Sequence, residues 1–415
     1  MLKKGNILFY IIMFLVSFVF LLGMTQVPRK KVSVEVLKNG HFRLKVDGRP
    51  FIVKGVCYNP ISIGKTHDYN FWGDPLEPWK KDGEMMKKMG INTVRFYQPG
   101  EDLEEVKKVV ADLYSNYGVR TMMGTWLKFW NYPAPFYDDE DFRRSVKQEV
   151  LAMVEALKDE DGILFWVLGN ENNFSFSGKI NPWSSDRLDA IKDPRQRLRE
   201  KAGVYYSLIN ELAREIHEID PNHPVVMGNG ELAYLDVANE AAPDVDIVGC
   251  VIYRGKTFGN IFSSLKKMYD KPIVFIEFGC DAYNAHEKRE DEDMQAFFIE
   301  SQWAEIYKNL ANNPNGEGNC LGGVMFEWSD EWWKHNDYDS NAWSIHDTES
   351  NWSNGSYYLD IKAERNMNMN EEWFGIVSLR KNENGLDERV PRKSYYAIRK
   401  FWHSPHDGKN LKYVK

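Results

Sequence analysis

The sequence predicts an α/β protein, a single (β/α)8 TIM barrel with a short N-terminal β lead-in and an N-terminal hydrophobic segment. Two observations predict it. Short apolar runs alternate with longer amphipathic segments from Phe51 to Trp328, as strands each followed by a helix would. With the closing strand and helix that end at Trp402, the pattern extends over about 350 residues, the length of one closed barrel. No G-x-G-x-x-G or phosphate loop follows any of the runs, which counts against an open doubly wound sheet.

Val32 to Val53 reads as the β lead-in, with turn signals at Gly40 and Asp47-Gly48. The first two barrel strands are Phe51–Tyr58 and Asn92–Tyr97, separated by a helix at Trp79–Met89. Leu103–Tyr117 is helical because Leu103, Val106, Val110 and Leu113 fall on one face. Arg120–Trp126 and Ile163–Leu168 are the third and fourth strands, with a helix at Asp141–Leu157. A polar, aromatic loop from Asn172 to Pro194 leads into a long helix, Gln196–Ile219. Strands five to eight are Val225–Met227, Ile247–Tyr253, Ile273–Glu277 and Gly322–Trp328. Helices at Ile261–Tyr269 and Met294–Leu310 separate the later ones. Ser329 to Trp373 lacks periodicity and reads as a long loop after the eighth strand; Phe374–Trp402 holds a closing strand and helix.

Before the lead-in, Lys3 and Lys4 precede an apolar run of 18 residues, Ile7 to Met24. That is the lower limit for a membrane-spanning helix, and the run reads as a signal peptide or an N-terminal anchor. The absence of an A-x-A-like site favours an anchor, whereas Arg29, Lys30 and Lys31 weaken the charge bias that would orient one. The expectation is an exported protein. Residues 1–31 are its signal peptide or membrane anchor, through residues 7–24 if uncleaved, and residues 32–415 form one domain.

Composition excludes one class of partner. The 53 basic and 61 acidic residues sum to −8, so the chain lacks the positive field that nucleic-acid binding needs. Aromatic residues make up 14%, with 14 Trp and 21 Tyr, a supply of flat faces for sugar rings or for a large core. Cys57, Cys250, Cys280 and Cys320 show no C-x-x-C spacing and read as small core residues. No metal or cofactor is expected.

Barrels of this kind carry their chemistry at the C-terminal ends of the strands. Two glutamates stand there. Glu171 follows Phe165-Trp166-Val167-Leu168 within Gly169-Asn170-Glu171-Asn172, and Glu277 ends Ile273-Val274-Phe275-Ile276, before Phe278-Gly279. A glutamate closing an apolar strand is costly to bury unpaired, so it needs partners or a task. Two opposed carboxyl groups suit glycosidic-bond chemistry, one donating a proton to the leaving oxygen and the other attacking the sugar carbon or activating water.

Gly169-Asn170-Glu171 and Ile276-Glu277-Phe278-Gly279 resemble the signature of glycoside hydrolase clan A. The resemblance is to the barrel domain of family 2 and to the β-1,3-glucanosyltransferases of family 72. Phe51-Ile52-Val53-Lys54-Gly55-Val56 and Gly90-Ile91-Asn92-Thr93-Val94-Arg95 are similar to their first and second strands, so the likeness spans most of residues 51–335. It implies Glu171 as acid/base and Glu277 as nucleophile, acting on an oligo- or polysaccharide, with β-glucan the first expectation. It further implies that Asn170 holds the sugar 2-hydroxyl, that Arg95 and Tyr253 hydrogen-bond Glu277, and that Trp328 floors the subsite of the reacting sugar. Singly, these residues also suit an ion pair, a turn or a core. The chain departs from the pattern in having only a short β lead-in where family 2 has β-sandwich domains, in Asn172 where many clan members have proline, and in Val251-Ile252-Tyr253-Arg254 at strand six.

Trp126, Trp130, Trp332, Trp333 and Trp343 lie in the loops after strands three and eight, placed to stack on sugar or to brace the loops; Trp126 and Trp332 are the substrate-binding candidates. His335, His346 and Asp337 match no metal-ligand spacing. Glu231 reads as a loop residue able to bind sugar hydroxyls, and alternation would place Glu327 opposite Trp328. Hydrolysis and transglycosylation share this machinery, and a sugar-binding barrel without catalysis is the rival of another class.

Overall fold

A computed structural model describes residues 32–130, 135–178, 180–349 and 369–404. The apolar run 7–24, the basic residues 29–31 and residues 350–368 of the long loop lie outside the described residues. No described helix is long and apolar enough to cross a membrane.

Strands β1 (Val32–Val36) and β2 (Phe42–Val46) pair antiparallel, and the short β3 (Arg49–Pro50) adds to β2. Eight parallel strands then close into a barrel. They are β4 (Val53–Cys57), β5 (Thr93–Phe96), β6 (Arg120–Thr125), β7 (Ile163–Leu168), β8 (Val225–Gly230), β9 (Ile247–Val251) and β10 (Ile273–Phe278), then, after a small hairpin β11 (Tyr283–Asn284) and β12 (Arg289–Glu290), β13 (Cys320–Met325). The ring closes where β13 pairs with β4, Gly323 opposite Lys54 and Met325 opposite Val56.

Helices α1 (Pro78–Met89), α2 (Leu103–Tyr117), α3 (Glu140–Leu157), α4 (Asp186–Asp189), α5 (Pro194–Ile219), α6 (Leu235–Ala241), α7 (Ile261–Met268), α8 (Glu292–Lys308) and α9 (Lys393–His403) connect and flank the strands. Their ends are written in the sequence. The side chains of Asp102 and Asp139 accept from the Glu104 and Phe142 amides to start α2 and α3, and Gly118, in the left-handed region, stops α2.

Two apolar layers result from the alternation of side chains along the strands. Val53, Met122, Val226, Val274, Ile276 and Val324 fill the barrel interior, while Val56, Met123, Leu168 and Phe275 join the layer under the helices. Each such side chain, fully buried, contributes about 1.5–3 kcal/mol. Val32, Leu44 and Val46 of the leading hairpin belong to the interior cluster and plug the end where the strands begin. There Val32 N–H donates to Asn222 O at 3.1 Å and Arg120 pairs with Asp47 at 3.2 Å. The C-terminal ends of the strands lie at the opposite end.

The elements match the expectation closely, with differences at the edges. The fifth strand runs on to Gly230 and the eighth stops at Met325 rather than Trp328. The closing segment is a hairpin, β14 (Val377–Arg380) with β15 (Glu388–Pro391), followed by α9. All four cysteines are buried.

Candidate active site

Glu277 ends the buried strand β10 and is 7% exposed. Three donors converge on its carboxylate. Arg95, from β5, donates from Nη1 to Oε2 at 3.2 Å; the Tyr97 hydroxyl donates to the same oxygen at 2.6 Å; the Tyr253 hydroxyl donates to Oε1 at 2.8 Å. Both oxygens are thereby oriented.

Arg95 is fully buried, which opposes its charge, yet Tyr97, Cys57 and Glu277 beside it raise its proton affinity above the usual and keep it cationic. Its Nη1 also donates to Ile276 O at 2.9 Å, and its Nη2 to Asn170 Oδ1 at 2.8 Å. The amide of Asn170 is thus fixed with its oxygen toward Arg95, leaving its NH2 as the donor for a ligand. Burial, and then the nearby negative groups, raise the Tyr97 and Tyr253 hydroxyls well above their usual range, so both remain donors.

Glu171 sits one residue beyond Asn170, at the start of a 3-10 turn spanning Asn172–Ser175. The chain reaches it through Gly169, whose φ of 74° lies in the left-handed region and whose missing side chain makes room for the Tyr205 hydroxyl. Asn172 then locks the turn. Its Oδ1 accepts from the Asn170 amide at 2.8 Å, and its Nδ2 donates to Trp126 O at 3.1 Å and to the Tyr137 hydroxyl at 2.8 Å. Burial first, then the negative charges of Glu277 and Glu371, push the Glu171 carboxyl well above the usual carboxylate range, against the opposing pull of Arg95 and Lys334. Of the two carboxyl groups in the site, one is thus held by cationic and hydroxyl donors and the other is favoured in its protonated form.

Five of the eight sequence-predicted site residues come together here: Glu277, Arg95, Asn170 and Tyr253 in a chain of hydrogen bonds, with Glu171 near enough for the Glu277 charge to raise its proton affinity. Trp126 joins them indirectly, stacked on Tyr97 with ring centres 4.9 Å apart and planes at 12°. Trp328 does not floor a subsite. It is fully buried, its ring edge-on to Tyr395 of α9 at 6.4 Å. Because β13 ends at Met325, strand alternation no longer governs a residue three positions on. Trp332 is half-buried, and His346 covers one of its faces at 4.3 Å and 16°; His346 in turn stacks on Trp373. It braces the loop.

Tyr97 is the residue that sequence reasoning missed. It lies two positions after Arg95, so the alternation that aims Arg95 inward aims Tyr97 the same way. Phe326 stands edge-on to Tyr253 at 6.4 Å and to Phe374 at 5.3 Å. Glu231 is held by Arg254 in a two-oxygen ion pair. Behind Phe326 lies a set of charges absent from the expectation: Lys334 Nζ bonds Glu331 at 2.8 Å and pairs with Glu371 at 3.3 Å, beside the buried Glu327.

The chain is similar to two fungal proteins. It is 24% identical over 331 residues to a 1,3-beta-glucanosyltransferase of Saccharomyces cerevisiae, covering 76% of this chain and 66% of that protein. To a 1,3-beta-glucanosyltransferase of Schizosaccharomyces pombe it is 21% identical over 309 residues, covering 71% and 62%. The barrel also superposes on family 2 glycosidases. A beta-galacturonidase from Eisenbergiella tayi matches at a TM-score of 0.55 and 14% identity, over 91% of this chain and 54% of that one. The beta-D-glucuronidase of Dictyoglomus thermophilum matches at 0.54 and 16%, over the same shares. The chain resembles the clan A glycoside hydrolases. No family model matches it. The fold is that of the family 2 barrels, and the sequence likeness is to the glucanosyltransferases, of whose length the chain spans slightly less than two thirds.

Proposed function

We propose that the protein is an enzyme of β-linked glucan that works by double displacement, with Glu277 as nucleophile and Glu171 as acid/base. The observation that carries the reading is the grip of Arg95, Tyr97 and Tyr253 on Glu277, with a second carboxyl, Glu171, kept protonated within its electrostatic reach. In the first step Glu171 gives its proton to the glycosidic oxygen as the C1–O bond breaks, and a Glu277 oxygen bonds to C1. Arg95 and the two tyrosines fix the attacking oxygen. The Asn170 NH2 takes the sugar 2-hydroxyl, a contact that tightens as charge develops.

In the second step the Glu171 carboxylate removes a proton from the incoming hydroxyl, whose oxygen bonds to C1 while the Glu277–C1 bond breaks. Two inversions give retention. Water as the incoming group makes the enzyme a hydrolase; a sugar hydroxyl makes it a transglycosylase. The names of the two fungal relatives favour the second outcome, and the choice of glucan rests on the same names. The reading places residues 32–415 as one exported catalytic domain, secreted or held at a membrane according to whether residues 1–31 are cleaved.

Glu277→Gln is expected to abolish turnover of β-glucan oligosaccharides while the circular-dichroism spectrum stays native. Glu171→Ala is expected to lose most activity toward poor leaving groups, with azide restoring part of it as a glycosyl azide. Full turnover by Glu277→Gln would end this assignment.

A further inference from the structure

The loop after β6 carries an aromatic corner that double displacement does not require. It starts inside the site. The Arg95 guanidinium lies 4.2 Å from the centre of the Tyr97 ring, Tyr97 stacks on Trp126, and Trp130 stands across Trp126 at 6.1 Å and 77°. Exposure rises along this row, from 1% at Arg95 to 57% at Trp130. Trp130 thus presents its indole to solvent at the outer end of a row that begins at the Glu277 carboxylate.

The loop holds it there by construction. Leu127 and Lys128 have φ of 52° and 55°, a left-handed conformation that residues with side chains adopt only where their surroundings enforce it. Four bonds do so: Tyr137 OH to Leu127 O at 3.1 Å, Phe129 N–H to Trp126 O at 3.0 Å, Asn181 Nδ2 to Phe129 O at 2.8 Å, and Lys128 Nζ to Ser145 Oγ at 2.7 Å.

The side of the site follows from the chemistry. An acid/base must stand beside the leaving oxygen, and the group that later takes the glycosyl unit enters along the same path. Asn172, next to Glu171, is bonded to the carbonyl of Trp126, so this loop is tied to the acid/base turn. We propose that Trp126 and Trp130 form the acceptor subsite, a platform for a gluco-configured pyranose of an incoming β-glucan chain. This rests on the functional reading above and names its acceptor. A pyranose with every hydroxyl equatorial turns only C–H groups toward an indole on either face, whereas an axial hydroxyl leaves just one face free to stack. The seated acceptor loses its hydroxyl proton to Glu171, its oxygen bonds to C1, and the Glu277–C1 bond breaks.

The test uses the full-length protein with a β-1,3-glucan oligosaccharide as donor and acceptor, products being resolved by mass spectrometry. Trp130→Ala is expected to lower the ratio of lengthened to hydrolysed product about tenfold, equivalent to about 1.4 kcal/mol, and Trp130→Phe to recover part of it. At 57% exposed, the site tolerates both changes without loss of fold. Hydrolysis alone by the unmodified chain, or a ratio unmoved by Trp130→Ala, overturns the acceptor subsite and leaves the glycosidic reading standing. No product from the unmodified chain, or product from Glu277→Gln, overturns both.

Discussion

Tyr97 serves two neighbours at once. Its hydroxyl bonds Glu277 and its ring joins the stack leading out of the site. Tyr97→Phe keeps the stack and removes the bond, so it isolates what the hydroxyl does. Glu277 must leave C1 in the second step, and it leaves with one donor fewer; kcat is expected to fall about ten- to hundredfold, read by steady-state kinetics. Glu371 offers a pH test. After burial and Glu277, it is the next cause holding the Glu171 proton, and it also engages Lys334. Glu371→Gln removes a negative charge and leaves Lys334 with one carboxylate, Glu331, in place of two, and both changes ease ionisation of Glu171. The alkaline limb of the kcat/KM profile is therefore expected to move to lower pH.

Glu327, with burial first and Glu331 next pushing its carboxyl well above the usual 4.5 and Lys334 pulling the other way, binds its proton more tightly folded than unfolded. Its contribution to stability is present below the unfolded value and is lost as pH rises through the folded one. Glu327→Gln cannot ionise, so its Tm relative to the native chain is expected to climb as pH rises above the ordinary carboxylate range.

The elements themselves were legible because barrel strands and helices announce themselves through period and caps. Leu103–Tyr117 and Ile163–Leu168 were read to the residue. The core of the site was legible for the same reason, since Arg95, Asn170, Tyr253 and Glu277 all lie at or just past strand ends, where alternation and topology fix direction. Trp328 and Trp332 were not, because they follow the end of β13, and what they touch depends on α9 and on the turn around Glu372, which no local pattern encodes. Those tertiary ties are strong. Arg392, at the foot of α9, bonds both oxygens of the buried Asp330 at 2.6 and 2.8 Å and Glu290 at 2.7 Å. Arg392→Met would leave Asp330 buried without its cation, and denaturant unfolding is expected to register a loss of about 3–5 kcal/mol.

At the scale of the whole molecule, stability and chemistry occupy opposite ends. The leading hairpin seals one end with Val32, Leu44 and Val46, while every residue in contact with Glu277 belongs to the other. Leu44→Ala opens a cavity in that seal at a cost of about 2–5 kcal/mol, so thermal melts should drop while the pH profile of turnover keeps its shape.

The hairpin also offers a handle on the molecule. Val32, the first described residue, lies at the sealed base, bonded there to Asn222. A label placed on the hairpin would therefore report from the barrel floor, at the end remote from Glu277 and its three donors.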